Sequence, residues 1–81
     1  PPPDNTRILV MDNGDGTATV KGEAGAVLPS SRVNLTNART GAVVSLTANP
    51  DGSFQALVDA VAGDVIIIDN DGPARIALPV S

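Results

Sequence analysis

Apolar and polar residues alternate along most of this chain with a period of two, in short runs separated by clusters of Gly, Asn, Asp and Pro. Successive side chains of a strand point to opposite faces, so the pattern predicts half-buried β-strands. In residues 17–23, Ala18 and Val20 alternate with Thr17, Thr19 and Lys21; in 32–38, Val33 and Leu35 alternate with Asn34 and Thr36. Further strands are predicted over 7–11, 43–48, 53–58 and 74–80. The run 65–68 is β-branched throughout and reads as a central strand with both faces covered, Ile66 and Ile68 facing inward and Val65 and Ile67 facing the other side of the sheet, only partly covered.

The punctuation supports the same division. Asp12-Asn13-Gly14-Asp15-Gly16, Thr40-Gly41, Gly63-Asp64 and residues 69–73 are rich in the types that accept positive φ or set tight turns. Asn49-Pro50-Asp51-Gly52 is the strongest turn signal, because Pro presets φ and Gly supplies the left-handed position. Seven strands at this spacing predict an all-β fold, a seven-stranded antiparallel β-sandwich of immunoglobulin-like type. Helix is disfavoured nearly everywhere; residues 55–62 are the one stretch where a short helical turn competes. Residues 1–6, opening on Pro1-Pro2-Pro3, read as an extended linker, and 7–81 as one domain. Alternation assigns the core to Ile8, Val10, Ala18, Val20, Val33, Leu35, Val44, Leu46, Phe54, Ala56, Val58, Ile66, Ile68, Ile76 and Leu78.

Composition narrows the chemistry. There is no Cys, His, Trp or Tyr, and Phe54 is the only aromatic, so the core is aliphatic with no disulfide or thiolate metal site to reinforce it. The net charge is −4 and the five basic residues are scattered without stacking aromatics, which argues against nucleic acid as a partner. The longest strongly apolar run, 65–68, falls far short of the ~20 residues of a membrane-spanning helix. Nucleophilic catalysis lacks its usual base, and so short a domain has little room for a cleft; the expectation is a protein that is not an enzyme, with no catalytic residue.

Several short stretches resemble a known family. They are Val20-Lys21-Gly22 leading into Ala24-Gly25-Ala26-Val27, then Val33-Asn34-Leu35-Thr36-Asn37, Thr40-Gly41, Leu46-Thr47-Ala48-Asn49, Asp51-Gly52-Ser53-Phe54 and Gly63-Asp64. Together they resemble the Ig-like repeat domains of large bacterial surface and secreted proteins. They are also similar to the carboxypeptidase regulatory-like (transthyretin-like) domain, and the choice between the two topologies stays open at this point. The resemblance implies an extracellular or cell-surface location and a role as spacer, adhesive unit or accessory domain. Some Ig-like surface domains carry a Lys–Asn cross-link; here Lys21 is the single Lys and residues 74–80 contain no Asn.

The remaining candidate chemistry is carboxylate. In an Ig-like topology the chain start and the second, fourth and sixth connections share one end, gathering Asp4, Asp51, Asp69 and Asp71. Asp12, Asp15, Asp59 and Asp64 gather at the other. Calcium takes several oxygen ligands, so Asp69 and Asp71 with Asp4 are the candidate calcium ligands; the competing reading is that Asp in turns serves local hydrogen bonds. No other cofactor is expected. The expected role is a non-catalytic structural or adhesive module whose partners are neighbouring domains, monomeric when isolated. The alternative is an accessory domain binding carbohydrate or protein through residues 24–31, 49–52 and 69–73.

Overall fold

Each alternating run becomes a strand in the computed structural model, which describes residues 1–81. After a single 3-10 turn at Asn5–Arg7 come β1 (Ile8–Asp12), β2 (Thr17–Gly22), β3 (Arg32–Asn37), β4 (Val43–Thr47), β5 (Phe54–Asp59), β6 (Val65–Asp69) and β7 (Arg75–Pro79). Residues 55–62 form no helix: Gln55–Asp59 continue β5, where Phe54 and Val58 reach the core from one face. The strands lie in two antiparallel sheets, ordered β1-β2-β5 and β4-β3-β6-β7. This is the immunoglobulin-like arrangement, with the fourth strand joined to the sheet of the third, sixth and seventh rather than to the other sheet. The odd number of antiparallel passes sends the chain in at one pole and out at the opposite one.

The inner faces follow from parity. Ile8, Val10, Ala18, Val20, Phe54 and Val58 of the first sheet meet Val33, Leu35, Ile66 and Ile68 of the second, and all are buried. Val44, Leu46, Ala56, Ile76 and Leu78 lie against them, only partly buried. The one aromatic ring requires a particular neighbour. Gly22 pairs with Phe54 across β2 and β5, and a Cβ at Gly22 would collide with the ring. Five small or branched residues outside the expected set complete the core: Ala26, Val27, Ala48, Ala60 and Val80. They stand just beyond strand ends and plug the two poles.

Two expectations need correction. β6 is central in hydrogen bonding, flanked by β3 and β7, but the outer face of its sheet has no covering layer. Val65 is therefore 37% exposed and Ile67 half-buried, while Ile66 and Ile68 are fully buried. The register of β6 and the partial cover of Val65 and Ile67 are as expected, and only the second covered face is absent. The linker is also shorter than expected. Pro3 is buried and Asp4 N donates to Ala26 O at 2.8 Å, so packing begins ahead of Arg7.

Candidate functional site

The N-terminal pole gathers the three connections expected there. Gly25 N donates to Asp51 O at 2.8 Å and Val27 N to Gly52 O at 3.2 Å, tying residues 24–31 to 49–52. Gly52 is obligatory in this contact: its φ is +81° and a Cβ would run into Val27 O. The Asn70 side chain fastens the third connection, accepting from Leu28 N at 3.0 Å and donating to Ser31 Oγ at 2.6 Å and Arg32 O at 2.8 Å. Leu28 projects from this pole, 45% exposed. No pocket indents this pole or any other part of the surface.

The candidate calcium ligands do not converge on one point. Asp4 Oδ1 accepts from Thr6 N at 2.9 Å and Thr6 Oγ1 at 2.6 Å, and its Oδ2 faces Arg7 Nε at 3.3 Å. Asp69 and Asp71 instead share Asn34, whose Nδ2 lies 2.8 Å from Asp69 Oδ1 and 3.4 Å from Asp71 Oδ1. Asp69 Oδ1 also accepts from Asp71 N at 3.1 Å, a local turn that accommodates the φ of +61° at Asp71. Nowhere do three or more His, Cys, Asp or Glu side chains stand close enough to hold an ion.

Asp4 exemplifies a repeated device. Asp15 accepts from both the N–H and the hydroxyl of Thr17, and Asp51 from both those of Ser53, each hydroxyl at 2.6 Å. In Asp-x-Ser/Thr the carboxylate caps its own turn with two donors from the second residue on. These bonds favour the ionised form and hold all three carboxyls below the ordinary carboxylate range.

At the C-terminal pole, the turn predicted at Gly63-Asp64 holds a buried polar cluster. Asp64 is buried, and its carboxylate receives four donors: Arg39 Nε at 2.7 Å, Arg39 Nη2 at 3.0 Å, Asn37 Nδ2 at 3.0 Å and Val61 N at 3.0 Å. Asn37, only 2% exposed, also donates to Asp59 O at 3.1 Å and accepts Arg39 N at 2.9 Å. One buried amide and one buried carboxylate thus latch the β3–β4 turn to the β5–β6 turn. Asp64 N and O bond Val61 O and Val80 N, bringing the end of the chain into the same latch. No buried side-chain polar atom is left without a partner. The signal was present in the parity of β3: Val33, Leu35 and Asn37 share a face, so Asn37 had to point inward.

The Arg39 guanidinium first, then the Val61 N–H and the Asn37 amide, hold the Asp64 carboxyl far below the usual carboxylate range. A carboxyl whose folded-state pKa is depressed stabilises the fold above its unfolded value, about 4, and that contribution is lost as pH falls further. Stability should therefore hold from neutral pH down to about pH 4 and decline in stronger acid. Denaturant melts across this range should show a shallower acid decline in Asp64→Asn than in the parent, from a lower starting stability. Equal declines would mean that Asp64 contributes nothing to the acid response.

No family model, curated protein or solved structure matches this chain.

Proposed function

We propose that this domain is a non-catalytic structural spacer, an Ig-like module set between neighbours in a longer extracellular or cell-surface chain. One observation carries the reading: the two ends leave from opposite poles, and both are tied down. Asp4 N is bonded to Ala26 O at the first pole, while Asp12 N donates to Ser81 O at 2.9 Å and Ser81 N to Val10 O at 3.4 Å at the other. Neighbours joined at such ends stand in line, held by short segments that already belong to the domain. The resemblance of residues 22–64 to bacterial Ig-like repeats agrees with this role. The alternative, carbohydrate or protein binding at the N-terminal pole, has less in its favour, since that pole is uncleft and offers one large exposed apolar side chain, Leu28. Two copies joined head to tail, Ser81 followed by Pro1, test the proposal by small-angle scattering. An extended pair with about twice the maximum dimension of one domain is expected. A compact, folded-back pair would refute end-to-end spacing.

A further inference from the structure

Of the four edge strands of this sandwich, three carry a charged residue, a proline or an outward group already bonded, and one carries none of these. On β1 the outward groups near its end are occupied, because Ser81 bonds both Val10 O and Asp12 N. On β7 the outward positions are Arg75, Ala77 and Pro79, and Pro79 has no N–H to offer. On β5 the outward groups of Gln55 and Leu57 are open, but the row ends at the charged Asp59, whose carbonyl is already held by Asn37 Nδ2. On β4, the bonds Asn37 N to Ala42 O and Ala48 N to Ser31 O fix the alternation, so Val44 and Leu46 bond β3. The N–H and C=O groups of Val43, Ser45 and Thr47 therefore point away from the sheet, complete and unpaired.

We infer that this edge is a self-association surface, and that its occupant is β4 of a second copy, antiparallel about a two-fold axis through Ser45. The row is self-complementary. Centred on Ser45, Val43 of each copy pairs with Thr47 of the other, and the three residues exchange six backbone hydrogen bonds. On the inner side, half-buried Val44 meets Leu46 of the second copy, covering apolar surface the edge now leaves open. On the outer side, Val43 is 58% exposed and finds an apolar methyl at Thr47. Charge permits the contact despite a net −4 on each copy. Neither β4 nor the flanking outward positions of β3 (Arg32, Asn34 and Thr36) carries a carboxylate, so the copies meet along a neutral to basic strip. The two sandwiches then share one continuous sheet, β7-β6-β3-β4 and its mirror in chain order.

The test is sedimentation equilibrium of this chain over a concentration series, with amide chemical shifts followed in parallel. A reversible monomer–dimer equilibrium is expected, with the shifts of Val43, Ser45 and Thr47 moving most as concentration rises. In the proposed register Arg32 of the second copy lies one strand beyond Thr47, on the row of Val43. Val43→Lys should then weaken dimerisation by about tenfold, because the two-fold axis counts each repulsion twice, whereas Val43→Glu should preserve or strengthen it. Ser45→Pro, which removes an outward N–H, should abolish it; Val43→Lys decides the question if that variant fails to fold. A chain that stays monomeric at about 1 mM overturns the inference, since even weak specific contacts populate complexes there. So does association that ignores all three substitutions, or that Val43→Glu weakens as much as Val43→Lys.

Discussion

Phe54→Ala should cost about 3–5 kcal/mol, the usual range for truncating a buried aromatic side chain. The ring is 4% exposed and fills the space left by Gly22, the one inward position of β2 without a side chain. Nothing else on the chain can refill that space, because no second aromatic exists and the neighbours are fixed by strand register. A domain of this size has a total stability of roughly 4–12 kcal/mol, so the loss is a large fraction of it. Far-UV circular dichroism melts should show the midpoint falling by roughly 15–30 °C. An unchanged midpoint would remove Phe54 from the core and with it the assigned register of β5.

Asn37→Ala is the largest expected polar effect, at about 2–4 kcal/mol. The substitution leaves Asp59 O and Arg39 N without the amide that satisfies them, and takes one of four donors from a buried carboxylate. Asn34→Ala, three strand positions earlier at a half-buried site on the outer face, is the matched control and should cost about 1 kcal/mol or less. Urea titrations of the two variants give the comparison. Similar losses would mean that the latch is an ordinary turn contact and that burial adds nothing to it.

The outline of this fold was legible because burial here follows strand parity. Fifteen inward residues assigned by alternation are all buried in the core or packed against it, since a half-covered sheet sorts side chains by odd and even position. Ala26, Val27, Ala48, Ala60 and Val80 escaped because they lie past strand ends, where no period marks them. The outer face of β6 misled for a different reason. A continuous β-branched run signals strand conformation equally well whether one face or two are covered, and Val65 shows that only one is. The carboxylates divided by range. Asp4, Asp15 and Asp51 are explained by their own Asp-x-Ser/Thr triplets, a local pattern, whereas Asp64 depends on Asn37 and Arg39 about 25 residues away. Spacing along the chain could suggest that Asp4, Asp69 and Asp71 share a pole; only side-chain geometry separates Asp4 in its own cap from the pair on Asn34.

The central claim is that this is a module built to connect neighbours through its two poles, and pulling a single chain by its ends tests it most directly. The Ser81 bonds to β1 and the Asp64 latch join the first and last segments to the same body. Tension applied through the poles should therefore meet one cooperative unit. The expected record is one force peak followed by a single lengthening of about 250 Å, the reach of 81 extended residues less the folded length. Lengthening in separate steps, or a gradual extension with no peak, would contradict the claim, because a spacer whose end strands peel away cannot hold its neighbours in line.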